Sequence, residues 1–335
     1  MRFLGLICVF VASAWANAPV VDGSTVVELP TSVDSSAVVE LPASVDSSTV
    51  VECSEQSEEC IETEVHYGKL TLVASATSLS FLGSWFLVFR KAWWDESTTK
   101  FHFKNDFEYA KNLDKLGHFY AGALIGEGFY DGLRWSGVSE FKSHLWAGIF
   151  ASLTHVGVDI KDGFSSWGYS VWDVVGGSLG GFWPMAQKYV PFMKYVDYKM
   201  SYWVNSKLYW TEGDHTGVFT DDYPNQTHWL SFRINAMLPD VLEPFWPDWL
   251  NIAVGLSVED GIFARDDLNY AQNNQRLKDA RRQVYIGLDY DLQVFKPKAY
   301  WAKRLLTYAN YIKLPAPSVR VYPDFEVQWV YPIQF

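Results

Sequence analysis

Between Asp114 and Gly181, ionisable residues sit inside apolar segments of helical length, and this constrains the fold more than any other feature. The stretch opens with Asp114-Lys115-Leu116-Gly117-His118-Phe119 and later runs Val158-Asp159-Ile160-Lys161-Asp162-Gly163-Phe164-Ser165. It closes with Trp172-Asp173-Val174-Val175-Gly176-Gly177-Ser178-Leu179-Gly180-Gly181. A charge in apolar surroundings is costly unless it is paired or hydrogen-bonded. The segments carrying these residues must therefore pack so that the ionisable groups meet.

Asp114 and His118 are four apart, on one face of a helix. His144, His155 and Asp162 are separated by 11 and 7 residues and also fall near one helical face, with Asp159 close by. Facing helices then bring together Asp114, His118, His155, Asp159, Asp162 and Asp173, with Lys115 beside them. One reading of the cluster is structural. Asp114 pairs with Lys115, Asp173 caps the helix that follows, Asp162-Gly163 makes a turn, and the network fixes how three helices dock. A second reading uses imidazole and carboxylates to bind a divalent metal or relay protons, and a third binds a small ligand or lipid headgroup. The sequence requires no cofactor, although a divalent metal is compatible with these side chains, and no residue is assigned a catalytic role. Glu127 and Asp131 lie about half a turn from His118 and form a separate, solvated or paired face.

The pattern predicts helices over about 112–134, 140–162 and 171–187. Gly122 and Gly126, and Gly176 and Gly180, have the spacing that lets helices approach closely. Residues 70–89 form an uncharged stretch flanked by Lys69 and Arg90-Lys91, long enough to cross a membrane. Its six hydroxyl residues equally suit a buried bundle helix. Residues 186–210 read as an amphipathic helix with Tyr189, Phe192, Tyr195 and Tyr202 on one side.

After Gly213 the period changes to two. Leu230, Phe232, Ile234, Ala236 and Leu238 alternate with mostly polar residues, as do Ile252 to Val258 and Val284 to Val294. At the end Phe325, Val327, Trp329, Tyr331, Ile333 and Phe335 occupy every second position. That resembles the closing strand of outer-membrane β-barrels. Four strands cannot close such a barrel, for which about eight is the usual minimum. Pro332 fits an edge strand. The expected fold class is α+β: an N-terminal α-helical bundle with small-residue packing, then a β-rich part of amphipathic antiparallel strands.

The N-terminus reads as a signal peptide over 1–16, with Arg2, an apolar run from Phe3 to Ala12 and Ala14-Trp15-Ala16 as the cleavage site. Leu6-Ile7 precede Cys8, which is not the pattern of a lipid-attachment site. Residues 17–64 read as a disordered spacer. Within it Val26-Val27-Glu28-Leu29-Pro30 recurs as Val38-Val39-Glu40-Leu41-Pro42, with too few large side chains to offset the entropy of ordering. Cys53 and Cys60 can close a small disulfide loop in an oxidising compartment. The helical core then covers 65–212 and the β-rich region 213–335.

The 335 residues carry a net charge of -12 with no block of Lys or Arg, which argues against nucleic acid as a partner. Sixteen Trp and nineteen Tyr suit a membrane interface or an aromatic core. No nucleophile elbow, P-loop, dinucleotide fingerprint or Cys-rich zinc pattern is present.

The Asp114, Lys115, His118 and Phe119 start resembles the DUF2279 family of predicted periplasmic lipoproteins of the YfiM type. It is more distantly similar to VanZ-like membrane proteins. The likeness continues through the acidic pair Asp159 and Asp162, then Asp173 and Gly180, and spans roughly 110–260. Asp159 stands where that family usually has Glu, and Gly177 where it has Asn. The resemblance implies an uncharacterised envelope protein. The expectation is an exported protein of the outer membrane or periplasm, with membrane or envelope components as partners and a homo-oligomer compatible with the sequence. The alternative is a metal-dependent hydrolase acting on a lipid or cell-wall precursor.

Overall fold

The computed structural model of the chain describes residues 49–53, 60–90, 94, 98–207, 219–262 and 268–333. The signal segment, most of the repeat and Phe335 lie outside the described residues. A hairpin of β1 (Thr49–Cys53) and β2 (Cys60–Glu64) leads into α1 (Tyr67–Ser84), α2 (Leu113–Trp135), α3 (Glu140–Asp162), α4 (Val171–Gly181) and the short α5 (Trp183–Tyr189). The sheet follows: β3 (Val196–Tyr202), β4 (Gln226–Phe232), β5 (Leu250–Val258), β6 (Arg282–Tyr290), β7 (Ala316–Tyr322) and β8 (Glu326–Tyr331). Helix α6 (Tyr270–Asp279) precedes β6, and α7 (Tyr300–Ala309) precedes β7. The architecture is the expected α+β arrangement of a helical bundle followed by antiparallel strands.

Glycine sets the spacing of the bundle. A Cβ at Gly122 would collide with the Gly177 carbonyl, and one at Gly180 with the Phe119 carbonyl. A Cβ at Gly126 would stand 2.6 Å from the Gly181 oxygen and one at Gly176 2.8 Å from the Lys115 oxygen. The two small-residue pairs therefore face each other, and α2 and α4 touch backbone to backbone. Helix α1 packs more loosely. It has no fully buried residue, Leu72, Leu79 and Leu82 on it are exposed, and so are Phe86 and Leu87 in the turn just beyond it. Three of its hydroxyls turn back onto its own carbonyls: Thr71 onto Tyr67, Thr77 onto Val73 and Ser78 onto Ala74. The side-chain donors are thereby satisfied within the helix.

The six strands form an antiparallel meander in the order β3 to β8. The sheet curls until its end nears its beginning. The Tyr331 hydroxyl on β8 bonds the Thr227 hydroxyl on β4, and the Tyr331 ring lies 5.6 Å from Trp229. The outer edge of β3 is covered by residues 311–313. The Met200 N–H donates to the Tyr311 carbonyl, and the Lys313 N–H donates to the Met200 carbonyl.

The period-two pattern holds, but with its sides reversed relative to a water-soluble sheet. Ser231, Asn251, Ser257 and Asp289 are buried on the concave side. Their apolar alternates Leu230, Val254 and Ile286 are 40%, 42% and 46% exposed, and Trp329 is 75% exposed. Inside, the Lys199 ammonium lies 2.7 Å from Asp289, and both side chains are fully buried. Ser231 donates to the same carboxylate at 2.6 Å. Gly255 leaves room for the Trp229 indole, whose ring a Cβ there would approach to 2.6 Å. The other face of β3 packs on the bundle through Tyr198 and Met200 against Tyr120.

Five sequence expectations need correction. The helix expected over 186–210 ends at Tyr189, before Pro191, and β3 occupies its second half. The sheet therefore begins at Val196, ahead of the expected boundary at 213. The strand expected over 230–238 runs Gln226–Phe232, and Asn235–Met237 is a 3-10 turn. The strand expected to reach Val294 ends at Tyr290 and passes into another such turn. In the last stretch of the segment read as a spacer, β1 and β2 pair, with Cys53 opposite Cys60. The β-branched Val50, Val51, Ile61 and Thr63 favour extended chain there.

The α2–α4 contact makes a direct prediction. Gly122→Ala drives a methyl into a backbone carbonyl and should lower unfolding stability by about 3 kcal/mol. Gly117→Ala, with nothing within 4 Å of the new methyl, should be neutral or slightly stabilising. Thermal unfolding of the two variants side by side checks this.

Candidate functional site

The centre of the site is the Lys115 ammonium in the first turn of α2. It lies 2.6 Å from the Asp114 carboxylate and 2.9 Å from Asp106, and it also bonds the Asp173 carboxylate at the start of α4. Each of the three ammonium protons thus has a carboxylate. Ser170, the N-cap of α4, links the surrounding groups. Its oxygen accepts from the Asp173 N–H and donates to Asp106 at 2.5 Å, while its own N–H donates to Asp159 on α3 at 3.2 Å. The Tyr223 hydroxyl, from the turn before β4, donates to Asp114 at 2.7 Å. One knot therefore joins α2, α3, α4, the segment before α2 and the entrance to the sheet.

His118 faces the same carboxylates. Its Nε2 lies 3.7 Å from Asp114 Oδ1 and 3.6 Å from Asp173 Oδ2. The His155 ring packs edge-on to His118 with centroids 5.6 Å apart. It fills the space beside Gly177, where a Cβ would collide with it. His155 Nδ1 lies 2.9 Å from the Ala151 carbonyl, so that nitrogen carries the proton. Asp162 stands apart from Lys115, and the Trp94 indole N–H donates to it at 2.6 Å.

The electrostatics follow from burial with too few cations. Burial and the charges of Asp173 and Asp162 lift the Asp159 carboxyl to about 8. Burial and the Asp114 charge lift Asp173 to about 8, against the pull of Lys115. Burial raises Asp114 too, but the charges of His118 and Lys115 outweigh it and hold that carboxyl below its usual range. Burial lifts Asp162 to about 6, against the Trp94 hydrogen bond, and keeps His155 neutral by lowering it to about 4. At neutral pH the knot therefore holds an ionised Asp114 on Lys115 and carries protons on Asp159 and Asp173.

All seven expected residues lie in this region. Asp114, Lys115, His118 and Asp173 meet directly, Asp159 and His155 adjoin them, and Asp162 is peripheral. Asp106, Ser170 and Tyr223 were absent from the sequence reading. They come from loops and turns where no periodicity marks them, although the Ser170-x-x-Asp173 spacing is a capping pattern. Glu127 and Asp131 form a separate, paired face, as expected. Arg304 of α7 bonds both, and Tyr308 donates to Asp131 at 2.7 Å.

Asp114 Oδ1, His118 Nε2 and Asp173 Oδ2 are close enough together to hold one divalent ion. Lys115 already occupies the opposite oxygens of both carboxylates, and Tyr223 donates to Asp114 Oδ1. The geometry serves best as a clasp, with room for an ion on the His118 side. Comparison with known protein families, curated proteins and solved structures finds no match to this chain.

Two predictions test the clasp. Lys115→Met removes the cation that Asp114, Asp106 and Asp173 share, leaves the ionised Asp114 buried without it, and should cost about 3–5 kcal/mol of unfolding stability. The second concerns pH. A carboxyl that binds its proton more tightly folded than unfolded makes stability fall as pH rises from its ordinary value to its folded one. Between pH 6.5 and 8, where His155 is already neutral, Asp159 and Asp173 deprotonate. So does Asp131, which burial lifts to about 7. The melting temperature should fall across that window, and Asp159→Asn should flatten the fall. An unchanged slope in the variant would contradict the assignment.

Proposed function

We propose that this chain is a non-enzymatic, membrane-associated protein of the cell envelope, in which the Asp/Lys/His knot holds helices and sheet together. The observation that carries this reading is the reversed distribution of polarity. Lys199, Asp289, Lys115, Asp159 and Asp131 are buried. Large apolar side chains line the outside: Trp146, Leu153 and Ile160 along α3, Val175 and Leu179 on α4, and the convex face of the sheet. Exposed apolar surface on this scale marks contact with lipid or another apolar partner. Helix α1 is the spanning segment in this reading. Tyr67–Leu87 is 21 residues long and unburied, with Lys69 near its start as its one charged side chain, about the length a bilayer core needs. The apolar flank of the bundle then rests against lipid. The motif likeness to DUF2279 proteins and the aromatic alternation near the C-terminus favour an outer-membrane or periplasmic setting.

The test is fractionation of the envelope followed by an alkaline carbonate wash. The chain should stay in the outer-membrane pellet. Release by the wash would overturn membrane insertion, and recovery with the inner membrane would overturn the location.

A second reading, a metal-dependent hydrolase acting on a lipid or cell-wall precursor, is favoured by the Asp114, His118 and Asp173 triangle alone. Metal analysis of the detergent-purified chain separates the two. About one divalent ion per chain, lost in His118→Ala with no change in melting, would establish the second. A metal content unaffected by the substitution supports the clasp.

A further inference from the structure

A cleft of about 300 Å³ lies on the other side of α2 from the knot, between α5, α7 and the start of the sheet. Its charges are unbalanced in an otherwise acidic chain. The lining carboxylates are Glu127, Glu140 and Asp197, and each is already neutralised. Arg304 bonds Glu127, Lys188 lies 3.0 Å from Glu140, and Arg233 lies 2.9 Å from Asp197. Lys194 and Lys303 also line the cleft, and neither has a carboxylate within ion-pair distance among the described residues. Both are exposed at the mouth.

The Trp183 ring forms part of the wall and is only 8% exposed, with its Nε1–H buried inside that wall. The rim is apolar on one side. Val190 and Phe192 are exposed on the turn that carries Lys194, and Phe141 packs edge-on to Tyr189 beside His144 of the lining.

We propose that this cleft binds the phosphate of an anionic amphiphile, with Lys194 and Lys303 on the phosphate oxygens and the apolar part lying along Val190 and Phe192. Two ammonium groups without a carboxylate partner among the described residues, one of them over the Tyr195 ring, suit a phosphate ester, which offers several acceptors and a net negative charge. The phosphate site stands on the cleft alone. Only its lipid source rests on the membrane reading.

The test uses the full chain in an uncharged maltoside detergent, with calorimetric titration of three probes: dihexanoyl phosphatidic acid, dihexanoyl phosphatidylcholine and inorganic phosphate. Saturable one-to-one binding of the phosphatidic acid is expected, with the choline ester weaker by about tenfold for its lost net charge. The double variant Lys194→Gln/Lys303→Gln should weaken binding by about tenfold or more while melting as the parent does, because neither lysine takes part in an ion pair among the described residues. Inorganic phosphate binding as tightly as the lipid, and lost in the double variant, would support the site and identify free phosphate as the source. Absence of saturable binding by either phosphate probe, or equal binding in the double variant, would overturn the proposal. Membrane recovery of the chain is unaffected by either result, so failure here is distinguishable from failure of the membrane reading.

Discussion

A single buried ammonium determines how the parts of this molecule sit together. Lys115 projects from the first turn of α2 toward carboxylates supplied by its neighbour Asp114, by the preceding segment through Asp106 and by α4 through Asp173. Removing charges from water is costly, and the cost is recovered only where every donor meets an acceptor in good geometry. That condition is strict enough to fix the rotation of α2 and the start of α4. Once α4 is placed, its glycines can meet those of α2, and backbone contact between the helices follows. Tyr223 carries the same constraint across to the sheet. Tyr198 adds a second tie, donating to the Leu116 carbonyl at 3.1 Å.

Polarity runs the same way in both halves of the molecule. In the bundle, carboxylates and imidazoles face inward and α3 shows Trp146 and Leu153 to the outside. In the sheet, Lys199 and Asp289 face inward and Ile286 and Val327 face outward. A polar interior of this kind is sustained by pairing, as the Arg304 bonds to Glu127 and Asp131 illustrate in a second place. An apolar exterior of this extent is unfavourable in water. The same arrangement costs little in lipid, where the hydroxyls that fold back along α1 also cease to be a liability.

Much of this was legible in the chain, for identifiable reasons. Glycines four apart at 122 and 126 and at 176 and 180 announced a close helix crossing, because only that contact needs the missing side chains. Asp114, Lys115 and Asp173 announced a knot because charges in apolar helices have to meet. What escaped was of two kinds. Loop contributors such as Asp106 and Tyr223 leave no periodic trace. Strand β3 reads as helix because Tyr189, Phe192 and Tyr195 recur at helical spacing, and because both faces of the strand are buried, which erases the contrast between its alternate residues. Strand β7 was hidden by Pro315 and Pro317. The period-two signal finds β5, and β4, β6 and β8 with displaced ends, but cannot say which side faces inward. Only the burial of Ser231 and Asn251 beside an exposed Leu230 reveals it.

The capping of β3 by residues 311–313 bears on how copies of this chain can associate. A sheet open at both edges can extend without limit, each newcomer offering a fresh edge to the next. Here one edge is closed by the chain itself. Among the described residues β8 pairs only with β7, which leaves its other side as the unpaired border of the six-stranded sheet. Two such borders can join about a two-fold axis, and neither partner then has another to offer. Backbone pairing between molecules would therefore stop at two, so a fold with so much apolar surface is protected from growing into a fibre by the route most open to β-sheets.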